Sequence, residues 1–223
     1  MSSAKKRHLY LLHGDIPDWA YSSVRAILQS LNAVDPETAA HCLRVGEWAR
    51  LLSKAAGLSE YEQKVAEFSG ILHDVGKLAI SKEITHKPGR LTELEYDIMK
   101  QHPIQSEQIV EPLTYHEFFR QVNPAVRAHH ERLDGKGYPD KLFDDQIPLI
   151  AKVVSVVDCF DAMGQSRAYR KGLPEEVILA ELDRCAGTQF DPVLVKTFKE
   201  SLESLKKEAP DQITLHKIVK KVA

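Results

Sequence analysis

Apolar residues recur at helical spacing in nearly every stretch of this chain long enough to form a secondary-structure element. That regularity excludes most folds. In "PETAAHCLRVGEWARLLSKAAG" Pro36 falls in the first turn and Gly57 just past the last, where proline and glycine bracket a helix. "SEYEQKVAEFSGILHDVGK" opens with Ser59 and Glu62, and "TELEYDIMKQHP" with Thr92 and Glu95. Both pairs have the spacing of a capping box, in which hydroxyl and carboxylate satisfy the first free amides of a helix. "PLIAKVVSVVDCFDAM", "PEEVILAELDRCAG" and "DPVLVKTFKESLESLKKEA" complete the set. The β-branched run "VVSVV" would suit a buried strand, but it continues helically to Met163 and no partner strand is evident. The expectation is an all-α chain, with residues 1–35 as a short N-terminal helical appendage and 206–223 as a basic C-terminal tail.

Bulk properties narrow the function. The 223 residues suffice for one large domain, 43% hydrophobic and 28% charged. A net charge of −2 provides no broad positive field for duplex nucleic acid or an anionic membrane. No apolar run approaches the roughly 20 residues that span a bilayer. Cys42, Cys159 and Cys185 show no C-x-x-C spacing, which argues for a reducing cytoplasm and against thiolate metal sites.

Of the ten histidines, His8, His13, His86, His116 and His216 fall in no usable pattern. His41, His73, His102, His129 and His130 each lie on a helix or helix end beside other potential ligands. Glu37 and His41 are four apart and share a helical face. His73–Asp74 and His129–His130 are adjacent pairs. Neighbours on a helix diverge by about 100°. Such pairs therefore suit two neighbouring ions, or a loosened helix end, better than one tight tetrahedral site.

In order along the chain stand "HCLRV" (41–45), "HDVGK" (73–77), "KPGRLT" (87–92), "HP" (102–103), "HHERLDGKGYP" (129–139), "DCFDAM" (158–163), "RAYR" (167–170) and "GTQFDP" (187–192). This series, from about Glu37 to Pro192, closely resembles the HD-GYP family, a bacterial subset of the HD metal-dependent phosphohydrolases. The resemblance implies an HD-domain helical bundle with the HD-GYP extension, and a catalytic domain over 36–205. It implies hydrolysis of the second messenger cyclic di-GMP to linear pGpG, and in some members on to GMP, by a hydroxide shared between ions. By the same resemblance the metal ligands are His41, His73, Asp74, His102, His129, His130 and Asp158. One partition places His41, His73 and Asp158 on one ion and His102, His129 and His130 on the other, with Asp74 bridging. Imidazole and carboxylate without thiolate suit iron or manganese. Glu37 matches the position from which some members hold a third ion, so two or three divalent ions are expected.

Asp74 and Lys77 are the catalytic candidates, with Lys77 offsetting phosphate charge. Tyr138, presented by a turn containing Gly135, Gly137 and Pro139, is a candidate substrate contact, as are Arg167 and Arg170. Arg44, Asp134 and Asp161 are expected to hold ligands or turns in place. The chain departs from the family pattern at Ser106 and near Lys141, where glycine is usual, and at Ala168, where proline is usual. Ser106 and Lys141 are expected to narrow or re-charge the pocket, which leaves cyclic GMP-AMP as an alternative substrate. Two rival functions stand beside this one: hydrolysis of another nucleotide such as ppGpp, and a low-activity adaptor docking a signalling protein through the GYP face. Residues 1–35 are too few for a receiver or sensory domain. Regulation is therefore expected from a separate partner, oligomerisation or metal redox state; no oligomer interface is readable.

Overall fold

A computed structural model of the chain describes residues 16–165 and 172–208. Ten α-helices occur among the described residues, in the order α1 (Asp18–Val34), α2 (Pro36–Ala55), α3 (Glu60–Leu72), α4 (Lys82–Thr85), α5 (Glu93–Met99), α6 (His102–Val110), α7 (Glu117–Ala128), α8 (Leu149–Gly164), α9 (Glu175–Cys185) and α10 (Pro192–Glu208). A 3₁₀ segment, Val75–Ala79, follows α3. Only isolated β-bridges occur among the described residues, and "VVSVV" lies inside α8.

The start signals expected at Pro36, Ser59 and Thr92 are in place. Asp35 caps α2 by accepting from the Thr38 amide, and Pro36 occupies the first turn. Ser59 with Glu62, and Thr92 with Glu95, form reciprocal capping boxes on α3 and α5. Helix α1 does more than extend the chain, because Ala20, Val24 and Leu31 enter a core shared with α2, α3 and α7. Helix α10 begins the expected tail and ends at Glu208; positions 209–223 lie outside the described residues.

Helices α2 and α3 pack at backbone distance. A Cβ on Gly70 would lie 2.8 Å from the Gly46 Cα, and one on Gly46 would lie 2.9 Å from the Glu67 carbonyl oxygen. Only glycine at both positions permits this approach, and the approach brings the imidazoles of His41 and His73 to 5.2 Å between centroids. The C-terminal half of α2 joins α8, α9 and α10 around Trp48, Phe160, Leu182 and Phe198. Trp48, Phe160 and Phe198 meet edge to face, at 4.9–5.9 Å between centroids. Full burial of Phe160 and Phe198 contributes about 1.5–3 kcal/mol each.

Candidate metal centre

Four histidines are fixed by closely similar devices. The Nδ1–H of His73 donates to the carbonyl of Gly70, that of His102 to Met99, and that of His129 to Val126, each at 2.7 Å. Each partner is three residues upstream, so the local helical turn sets both tautomer and ring orientation. His41 uses a carboxylate instead, donating Nδ1–H to Asp161 Oδ2 at 2.7 Å. With Nδ1 protonated, the neutral form of each of the four rings offers Nε2 as a lone pair, the form in which imidazole binds a cation.

Those lone pairs converge. Nε2 of His41 lies 3.0 Å from Asp158 Oδ1, and Nε2 of His73 lies 3.3 Å from Asp74 Oδ2. Nε2 of His102 is 3.1 Å from Asp74 Oδ1 and 3.3 Å from Nε2 of His129. With both Nδ1 atoms protonated, the last two are facing acceptors and cannot bond each other. His73 Nε2 and Asp74 Oδ1 are buried without a hydrogen-bond partner, despite the short approach of His102 to the latter. Ligand atoms within 4.8 Å of one another form three groups among the described residues: His41, His73 and Asp158; His102, His129 and His130; and His73, Asp74 and His129. Facing acceptors and orphaned buried atoms are what a cation would satisfy. The donor set therefore fits a pair of divalent ions.

Protonation splits the cluster. Burial opposes charge on His73, but Asp74 and Asp158 outweigh it and push the imidazole up to about 10. His41 is raised in the same sense against its burial, by Asp158 and Asp161. Asp74 and Asp158, although buried, are held well below the usual carboxylate range, Asp74 first by Lys77 and Asp158 first by His41. On the other side, burial and neighbouring imidazoles keep His129 well below 6.5 and bring His130 down to about 3. His41 and His73 are thus shifted toward the protonated form, and His129 and His130 toward the neutral one.

The interruptions in the helices answer the geometry of the adjacent pairs. Helix α3 ends at Leu72, leaving His73 as cap and Asp74 at φ −106°, ψ 4°. Helix α7 ends at Ala128, so His129 and His130 also sit at a loosened end. Lys77, half-buried, pairs its ammonium with Asp74 Oδ2. Tyr138, half-buried, stacks at a tilt on His130 with centroids 4.7 Å apart. Its turn uses Gly135 at φ 69° and has Gly137 against the Glu131 backbone; the Tyr138–Pro139 peptide is cis.

Sequence reasoning passes over Glu131. Its carboxylate, 2% exposed, accepts from the amides of Asp140 at 2.6 Å and Leu142 at 3.0 Å, closing the turn that carries Tyr138. The one signal in the sequence is an acid directly after two histidines, in a loop with many free amides. Asp161 takes both His41 and the Arg44 guanidinium, at 2.7 and 2.8 Å. Spacing foreshadows the pairing, since His41/Arg44 and Asp158/Asp161 are each three apart on one helical face. Asp134 pairs with Arg132, which also donates to Gln189 and so ties the turn to the "GTQFDP" segment.

Ser106 departs from its expected place, while Lys141 and Glu37 are located on the surface. Ser106 does not line a pocket; it is fully buried, and its hydroxyl engages backbone on both sides of Asp74. Lys141 is exposed and takes φ 56°, the left-handed region that glycine favours. Glu37 is exposed in the first turn of α2 and belongs to none of the three ligand groups. Arg167, Ala168 and Arg170 lie outside the described residues.

Comparison with known proteins agrees with this architecture. An HD domain family model matches residues 24–194. The chain is 40% identical over 159 residues to the cyclic di-GMP phosphodiesterase response regulator RpfG of Xanthomonas campestris, covering 71% of this chain and 42% of that protein. It is 33% identical over 191 residues to the 3'3'-cGAMP-specific phosphodiesterase 3 of Vibrio cholerae, covering 86% of this chain and 40% of that protein. The chain thus spans about two fifths of the length of these curated relatives. Its fold is similar to that of an HDG"Y"P protein from Bdellovibrio bacteriovorus, with TM-score 0.62 and 15% identity over 88% of this chain and 67% of the other. The chain belongs to the HD domain family, within its HD-GYP branch.

Proposed function

We propose that this chain is a metal-dependent phosphodiesterase that hydrolyses cyclic di-GMP to linear pGpG. The observation that carries this reading is the convergence of bare Nε2 lone pairs and ionised aspartates, with His102 and His129 facing each other at 3.3 Å. His41, His73 and Asp158 would hold one ion and His102, His129 and His130 the other, with Asp74 reaching both. When bound, a pair of iron or manganese ions supplies Lewis acidity and an activated water near neutral pH.

The chain's own groups do the rest. Asp161 and the backbone carbonyls of Gly70, Met99 and Val126 hold the imidazoles in register. Lys77 brings a positive charge beside Asp74, where non-bridging phosphate oxygens gain charge during in-line attack. Burial raises the Tyr138 phenol above its ordinary value, so it stays neutral and able to donate to phosphate. Arg167 and Arg170 would hold the dinucleotide's phosphate and guanine by bidentate bonding and stacking. The GYP turn, ending in exposed Asp140 and Lys141, is the face on which a signalling protein would dock.

A second reading, 3'3'-cyclic GMP-AMP as preferred substrate, is favoured by the 33% identity to the Vibrio cholerae enzyme of that specificity. An anaerobic assay of metal-loaded protein, offered both dinucleotides and resolved by chromatography, separates the two. The primary reading expects pGpG from cyclic di-GMP at the higher kcat/KM, and the same chromatogram reads whether GMP follows. Faster cleavage of cyclic GMP-AMP selects the second reading, and cleavage of neither rejects both.

A further inference from the structure

Between α3 and the 3₁₀ segment the chain leaves the regular helical ladder for two residues, His73 and Asp74. On a continuous helix their side chains would diverge by about 100°; the interruption lets both reach the ligand cluster. It also takes the His73 carbonyl and the Gly76 amide out of the α-helical pattern at a place of complete burial. Buried backbone groups of this kind need partners.

Both find the same one. The Ser106 hydroxyl, on α6, donates to the His73 carbonyl at 2.7 Å and accepts from the Gly76 amide at 2.8 Å. Ser106 is 0% exposed. The two segments meet backbone to backbone. A Cβ on Gly76 would lie 2.1 Å from the His102 carbonyl oxygen and 2.4 Å from the Ser106 nitrogen. His102 is four residues before Ser106 on the same helix. One hydroxyl therefore spans the break that aims His73 and Asp74 and joins it to the helix that delivers His102.

We infer that Ser106 is a positioning residue of the metal centre, fixing the backbone at the His73–Asp74 pair relative to His102. The inference rests on the proposed metal reading. Ser106 acts through the main chain on either side of Asp74, not through a ligand side chain.

The test uses the full chain and Ser106→Ala, with Ser106→Gly as a second variant that leaves room for a water in place of the hydroxyl. Each is prepared metal-free and titrated anaerobically with Mn²⁺, reading bound ions, affinity and the rise in Tm from metal-free to saturated protein. The expected result is retained helical circular dichroism, Mn²⁺ affinity weakened about 10–100-fold in Ser106→Ala, and a smaller metal-induced rise in Tm. A merely structural serine would lower the metal-free and saturated Tm equally and leave affinity at the wild-type value. That pattern in both variants overturns the role of Ser106. Wild-type protein that binds no Mn²⁺ overturns the metal reading itself, and this inference with it.

Discussion

Helix α2 passes through two interiors. Its first half carries His41, and its second half carries Trp48 and Leu52 into the apolar core. Helix α8 repeats the pattern within four residues, since Asp158 and Asp161 face the ligands while Phe160 packs on Trp48 and Phe198. At the apolar end the rings of Trp48, Phe160 and Phe198 close on one another, and the unpartnered Ser53 hydroxyl is the one polar exception on that half of α2. The polar end is closed only in part, with His73 Nε2 and Asp74 Oδ1 unpartnered and two imidazole lone pairs opposed. The same two helices thus supply packing at one end and, through His41, Asp158 and Asp161, ligands and their support beside the deficit at the other. A cation would satisfy that deficit.

The largest effect that would break this contrast is at Asp74. Asp74→Asn keeps the volume but loses the charge, and turnover should fall on the order of 10²–10³-fold or more, with loss of bound metal by elemental analysis. Full metal content and activity in this variant would mean that the polar end is only structural. The opposite end answers in a different currency. Phe198→Ala should cost about 3–5 kcal/mol in denaturant unfolding, while the folded fraction keeps two ions and its kcat. Asp161→Asn lies between the two, because it disturbs the bond that orients His41. Metal affinity should weaken about 10–100-fold, measured by competition with a chelating dye. An unchanged affinity would remove Asp161 from the account.

pH sharpens the comparison in the metal-free protein. His73 is raised from 6.5 to about 10, so its stabilising contribution is fully present below pH 6.5 and is lost as pH rises toward 10. Asp158 is shifted the other way; its contribution is present above 3.8 and lost as pH falls through its lowered folded value. The Tm of chelator-treated protein should therefore decline between pH 6.5 and 10, and saturation with metal should flatten the decline by replacing the proton. Equal slopes with and without metal would contradict the assignment. The smallest effect is expected at exposed Glu37. Glu37→Ala should leave two ions per chain and change stability by no more than about 0.5 kcal/mol; loss of an ion would place Glu37 among the ligands.

The helices are legible because their signals are local. Pro36 opens its helix, Ser59 and Thr92 cap the helices whose starts they mark, and the periodicity of "VVSVV" outweighs its β-branched composition. The residues that come together at the centre are legible through ordered motifs rather than through distance, since nothing local in His41 reveals Asp158. What escapes depends on backbone groups. Glu131 serves amides nine and eleven residues away, and Ser106 serves a carbonyl and an amide across 33 and 30 residues. Such partners leave no side-chain pattern in the sequence. The place of Ser106 in a motif beside His102 suggests a pocket wall, while burial and the approach of Gly76 turn it inward.

The direct measurement is elemental analysis of the full chain, loaded anaerobically with iron or manganese and then desalted. Two tightly held ions per chain, falling when His73 or His129 is replaced by alanine, is the predicted result. A desalted protein carrying less than one ion per chain, or one whose content is indifferent to both substitutions, would contradict it.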